Sequence, residues 1–329
     1  VAGTRAWPRT ERLLRRTREL AERSGTAQAL TYATAVTGVA LYLNGRFREA
    51  AEKLVCAMNL LQDGSTGLVQ EGVTARIFAV QSLAFLGSYR ELQRWQTEGL
   101  RDAITRGDVY AKANLRIGLA NLAWLVEDRP DLADNEVDAA MKEWSTRGFH
   151  NEHCYALLAR AAIALYIGDH EKSYALAEEL AARTKQSLFW RIQTIRLRVL
   201  YAHGVSALAV AERGARDRAK LLRLAVHDAR AIERERAPWM QPFASVLRAG
   251  IALHTGARDR AVVDLEAAAD GFAAGDMSAY AAATRDRLAR LRGGAGAPSD
   301  IANAAAALRV EGVAVPERLI GMLVPWRSD

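Results

Sequence analysis

A Gly-x-aromatic turn recurs along this chain with small and apolar residues at fixed offsets around it, at a period of roughly 40 residues, which commits the chain to repeated helix pairs. The clearest copy is Gly45-Arg46-Phe47, preceded by Gly38 and Leu41 and followed by Ala50, Leu54 and Ala57. Gly87-Ser88-Tyr89 is followed by Leu92 and Gly99, Asp128-Arg129-Pro130 by Ala133, Val137 and Ala140, Gly168-Asp169-His170 by Ser173, Ala177 and Leu180, and Gly256 by Ala261, Leu265 and Ala268. The reason is steric. The residue that ends a helix often takes a left-handed cap, which glycine reaches without a Cβ clash, and a small residue in the next helix lets the two backbones approach. Between Ser187 and Arg236 two long helices are expected, but a turn near Gly204 or Gly214 falls out of frame, so this stretch reads as a degenerate repeat.

These offsets are those of the tetratricopeptide pattern. The expected fold is all-α: a tetratricopeptide-like helical-repeat solenoid, a right-handed superhelix of antiparallel helix pairs, over residues 1–292. Such a solenoid grows by adding repeats and needs no second core. Composition agrees, with 50% hydrophobic but only 7% aromatic residues and no convincing strand run. A Gly/Pro-rich linker at 293–299 should separate the solenoid from a short C-terminal helical tail at 300–329, with helices Asp300–Leu308 and Pro316–Leu323 acting as a cap or docking tail.

The formal net charge is +7, which ordinarily raises nucleic acid or acidic membranes as partners. Of the 45 basic residues, however, only Lys53, Lys112, Lys142, Lys172, Lys185 and Lys220 are lysines. An Arg-rich, Ala-rich, Lys-poor chain is the signature of a high-GC coding bias, so nucleic acid is not expected as a partner. Arg9, Arg12, Arg15, Arg16 and Arg18 are interleaved with Glu11 and Glu19 and read as a solvated helix face. Arg191, Arg196 and Arg198 lie beside Phe189 and Trp190, a mixture that can stack single-stranded bases, although those rings read better as core.

No apolar run reaches the roughly 20 residues of a membrane span. Cys56 and Cys154 sit in apolar contexts without paired spacing, so reduced thiols and a cytoplasmic location are expected. The start at Val1, just before a helix and without an initiator Met, reads as a segment of a longer chain. Phosphate-cradling, zinc-protease, nucleophile-elbow and dinucleotide motifs are missing, and no cofactor is expected. His150, His153 and Cys154 stand at helical spacing that could offer three metal ligands, but they lie at a helix entry where polar residues cap backbone. Glu127, Asp128, Asp131 and Asp134 form an acidic loop without the glycine and terminal glutamate of a calcium loop.

In a tetratricopeptide array the first helix of each pair lines a concave groove. Counting back from the turns places Tyr32, Val39 and Tyr42, Phe78 and Phe85, Leu122 and Leu125, Tyr155 and Tyr166, and Phe243 and Leu253 there. An apolar groove suits a protein or peptide partner that docks as an amphipathic helix, or an internal segment of the same polypeptide. The competing reading buries this lining as ordinary core.

Trp144-Ser145-Thr146-Arg147-Gly148-Phe149-His150, with His153-Cys154-Tyr155-Ala156-Leu157-Leu158 and Ile163-Ala164-Leu165-Tyr166-Ile167-Gly168-Asp169, resembles the C-terminal helical region of large bacterial serine/threonine protein kinases of the myxobacterial type. Tyr42 to Ala50, Asn121 to Leu125 and Pro316 to Pro325 are similar to the same family. In those proteins a kinase domain and a nucleoside-triphosphatase-like module precede a tetratricopeptide region. The resemblance implies a non-catalytic interaction and sensor segment for signal transduction, which upstream domains of the same polypeptide would read. Similar arrays also close bacterial transcription activators with nucleoside-triphosphatase modules, which is the alternative role; a small-molecule-binding enzyme domain is the third. With neither a phosphate loop nor the carboxylates that hold magnesium, the purified chain is expected to release no phosphate from ATP above a buffer control. ATP turnover abolished by a substitution in this chain would contradict that expectation.

Overall fold

Each turn in the sequence ends its helix in the same way. Helix α2 (Ala27–Leu43) gives way to α3 (Phe47–Gln62) through Gly45 at φ 76°. There the Gly45 N–H donates to Tyr42 O at 2.9 Å and the Arg46 N–H to Leu41 O at 3.0 Å, the paired bonds of a Schellman cap. The same two bonds close the helices at Gly87, Asp128, Gly168 and Gly256. Asp128 reaches φ 58° without being glycine, as aspartate does more readily than other residues. Five positions after each turn, Ala50, Leu92, Ala133, Ser173 and Ala261 have no measurable exposure. These are the residues on which the paired helices cross.

The computed structural model describes residues 3–62, 67–212 and 217–326. Among them no strand occurs. After α1 (Trp7–Ser24) and the α2/α3 pair come α4 (Val69–Leu86) and α5 (Tyr89–Arg106); α6 (Val109–Asn114), α7 (Leu122–Leu125) and α8 (Pro130–Glu143); and α9 (Asn151–Ile167) with α10 (His170–Lys185). Then follow α11 (Gln193–Glu212) with α12 (Arg218–Arg234), α13 (Gln241–His254) with α14 (Arg258–Ala274), α15 (Ser278–Arg292) with α16 (Ala297–Val310), and α17 (Pro316–Leu323). Consecutive helices pack on one another, as a helical-repeat solenoid requires. The first helices of the pairs, notably α4, α9, α11 and α13, are buried nearly all round and form the inner layer. Second helices such as α5 and α12 bury one stripe and expose the rest. None of the described helices is long and apolar enough to cross a membrane.

Two local expectations change. Gly204 is no turn: it lies inside α11 facing Leu247 and Asp228, while Gly214 falls outside the described residues. The helix expected to carry Leu122 and Leu125 is broken into α6, a 3-10 turn at Gly118–Asn121 and α7. Gly118 sits at φ 60° with Tyr155 packed against it. The carbonyls freed by the break are taken up by amides, Gln96 Nε2 donating to Leu115 O at 2.9 Å and Asn121 Nδ2 to Arg116 O at 2.9 Å. At the other end of the chain α16 starts at Ala297 with Pro298 in its first turn, where the missing N–H costs nothing.

The superhelix meets itself after one circuit. Trp239, between α12 and α13, packs on Gly45 so closely that a Cβ there would lie 2.1 Å from the indole. Its ring also stands edge-on to Phe47 and Phe85, which stack at 4.1 Å. Ser278 Oγ donates to Leu86 O at 2.7 Å, and Arg48 pairs with Asp276 at 2.7 Å. Gly45 therefore carries two constraints, whereas Gly256, at the same φ of 76°, has nothing within 4 Å of a would-be Cβ. Gly256→Ala should cost about 1–2 kcal/mol, the left-handed penalty alone. Gly45→Ala should cost at least twice that in urea unfolding, because Trp239 must also move; equal costs would contradict the closure.

Candidate functional site

Apolar side chains on the inner helices converge on the concave interior, and the structure places the anticipated lining there unevenly. Tyr42, Phe85, Tyr166 and Phe243 are 2–3% exposed, Tyr155 is also buried, and Phe78 is half-buried. Tyr32 instead faces solvent at 46% exposure. Tyr42 meets Phe78 edge-on at 5.0 Å and donates its hydroxyl to Gln81 Oε1 at 2.7 Å. Phe243 is ringed by Tyr201, Phe272 and Tyr280, each at 4.8 Å. Tyr166 stands apart, donating to Asp128 Oδ1 at 2.9 Å.

Part of this burial comes from the chain's own C-terminus. Helix α17 packs against α9 and α15 with Leu319, Ile320, Met322 and Leu323 buried. Its apolar face is inserted and its polar edge is tied to the rim. Arg318 pairs with Asp128 at 2.7 Å, the Ala314 N–H donates to Val126 O at 2.8 Å, Tyr201 donates to Leu323 O at 3.0 Å and Arg287 to Val324 O at 3.1 Å. Beyond the helix Trp326, 1% exposed, packs against Gly250, where any Cβ would meet the ring. An amphipathic helix thus does sit in the concave face, and it is an internal one.

Beneath α17 lies a cavity of about 120 Å³. Its wall is mainly apolar, with Leu119, Leu158, Val205 and Met322 among its residues, and Gly118 at the break forms part of it. The exception is Arg198, 9% exposed on the inner helix α11. A guanidinium stays charged at any physiological pH, and its burial costs several kcal/mol unless a counter-ion offsets it. Among the described residues Arg198 has no carboxylate partner. Nη1 donates to Gln81 Oε1 at 3.4 Å, an oxygen already accepting from Tyr42, and the guanidinium lies 5.1 Å over the Tyr155 ring. Glu152, the buried acid of α9, is engaged by Asn114 Nδ2 at 3.3 Å and forms no ion pair with Arg198. Tyr280 lines the same cavity; burial pushes its phenol up to about 12, with the Arg198 charge pulling the other way.

Other candidates from the sequence fall elsewhere. Cys154 points into an apolar cluster with Leu180, Ile195 and Val199, and burial pushes its thiol up to about 11. His153 Nδ1 accepts from the His150 N–H at 3.0 Å, and His150 Nδ1 from Trp144 at 3.1 Å. Both rings are committed to the helix entry, and among the described residues no group of three ligands is assembled. The supposed Arg191, Arg196 and Arg198 patch is dispersed: Arg191 is exposed, Arg196 pairs with Glu235 at 2.7 Å, and Arg198 points inward. Phe189 and Trp190 pack beside the cluster holding Cys154. The acidic loop is held by cations, Asp134 by Arg160 at 3.3 Å and Asp128 by Arg318. The sequence signal at Arg198 is a charge set directly between Leu197 and Val199-Leu200.

No protein-family model matches the chain, and no curated protein matches it significantly. Among solved structures it is similar to a Rap protein complexed with competence and sporulation factor, at 10% sequence identity and a TM-score of 0.58 over 86% of this chain and 77% of that one. That likeness places the architecture among tetratricopeptide-like helical-repeat folds. As a test of how α17 is held, Leu319→Ala should lower unfolding stability by about 2–5 kcal/mol through an unfilled buried site. Arg318→Ala, at a half-exposed ion pair, should change it by less than about 1 kcal/mol; the reverse ranking would show that charge, not burial, seats the helix.

Proposed function

We propose that this chain is a non-catalytic interaction and sensor segment whose concave face takes an amphipathic helix, and that α17 holds that place until a protein or peptide partner competes for it. The observation that carries this reading is α17 itself, docked by Leu319, Ile320, Met322 and Leu323 and held at its rim by the Arg318–Asp128 pair. Helix-in-groove recognition uses such apolar anchors at helical spacing. The Rap structure, being a complex with competence and sporulation factor, supports a ligand-receiving role for this kind of solenoid. The finer reading is the C-terminal region of a bacterial serine/threonine kinase, its upstream domains sensing whether the groove is self-occupied. It rests on the segments from Trp144 to Asp169 and from Pro316 to Pro325, and sequencing the gene upstream of Val1 tests it.

The groove reading is tested with a fluorescent peptide spanning residues 313–326, titrated into wild type and into a Leu319→Asp/Ile320→Asp variant. Releasing α17 raises the competent fraction, so the variant should bind at least about tenfold more tightly. Apolar docking should also be nearly indifferent to salt. A variant that does not bind, or binding that collapses as salt rises in the manner of phosphate contacts, would overturn the proposal.

A further inference from the structure

The cavity beneath α17 is matched to a ligand of definite chemistry. Its wall is apolar over most of its area and includes Arg198, a buried arginine whose guanidinium has no carboxylate partner among the described residues. The Gln81 oxygen at 3.4 Å is a long and shared contact, outside the 2.7–3.2 Å range of a good N–H···O bond. Tyr280 lines the same space and its hydroxyl makes no hydrogen bond among the described residues, leaving a second donor. An arginine presents a donor fork that fits a carboxylate. An apolar cavity of about 150 Å³ accepts benzene, with six heavy atoms; the 120 Å³ here sets that same heavy-atom count, which is butyrate's, as the upper limit.

From this geometry we infer that the chain binds a short aliphatic carboxylate, about the size of butyrate, with its carboxylate on Arg198 and Tyr280 and its alkyl chain against Leu158, Val205 and Met322. No covalent step is involved. Because Met322 and Leu323 of α17 form part of the wall, an occupant stabilises the closed form in which α17 is docked, by the differential affinity that any ligand must have to shift an equilibrium. The site belongs to the closed form and stands whether or not α17 yields to a partner helix, so this proposal and the groove reading can fail separately.

The test is calorimetric titration and thermal unfolding of the full chain with sodium butyrate, butyramide and n-butylamine, with sodium chloride matched throughout. Butyrate should bind saturably at one site and raise the melting temperature, and the neutral amide and the amine should bind at least tenfold more weakly. Arg198→Met should abolish the preference for butyrate over butyramide, and Ala202→Leu, which fills the cavity, should block both. The charge preference is read on wild type, so the outcome does not depend on either variant folding. Absence of butyrate binding at tens of millimolar, equal binding of butyramide, or undiminished binding by a folded Arg198→Met variant would overturn the inference. So would saturation by a short peptide with a free C-terminal carboxylate where butyrate does not bind, since that would assign Arg198 to a chain end.

Discussion

Helices can cross closely only where a small or fully enclosed side chain stands at the crossing, and in this chain that place comes five residues after each turn. Ala50, Ala133, Ser173 and Ala261 let the second helix of each pair lie hard against the first. The left-handed cap before them reverses the chain in two residues and satisfies the orphan carbonyls of the first helix. Cap and crossing together fix the angle between paired helices. Stacking then brings each first helix to the inside, where it is buried all round, and leaves each second helix only a stripe to bury.

The curvature so generated has a consequence at long range. After one circuit the turn at Gly45 comes against Trp239, and the turn at Gly87 against Ser278. The absence of a side chain at these turns, first required by backbone geometry, now also admits a neighbour from the opposite end of the array. The aromatic side chains of the first repeats, Phe47 and Phe85, are enclosed by Trp239 rather than left open to solvent. What remains of the concave interior is covered by α17, so the solenoid supplies its own occupant.

Closure has an electrostatic cost at one point. Arg198, on an inner helix, borders this space and has the Tyr155 face, the shared Gln81 oxygen and the Tyr42 hydroxyl for company. Elsewhere in the interior, Asp264 pairs with Arg260, Asp228 is hydrogen-bonded to His203, and Glu152 accepts from Asn114. Asp286 is likewise met by Arg290. Arg198 differs from the buried aspartates Asp264 and Asp286 in lying beside a cavity rather than beside a counter-ion, which leaves room there for an anion.

The repeat frame was readable because it is local. A left-handed cap, a small residue five positions on and apolar residues one and two helical turns later are all set within twenty residues, and the helices at Gly45, Gly87, Asp128, Gly168 and Gly256 follow from them. The concave face was partly readable: its aromatic lining is a matter of helical spacing, but whether Phe85 meets solvent or Trp239 depends on residues 154 positions apart along the chain. Counting back from the Asp128 turn gives Leu122 and Leu125 but not the break at Gly118, where Tyr155 packs on the glycine and Gln96 and Asn121 take the freed carbonyls. Arg198 was visible as a charge but not as a buried one. Local sequence determines where this chain turns and which faces are apolar, because those are short-range steric matters; the tertiary structure alone decides which apolar face is covered by which distant segment, and so which charge is buried with no carboxylate beside it among the described residues.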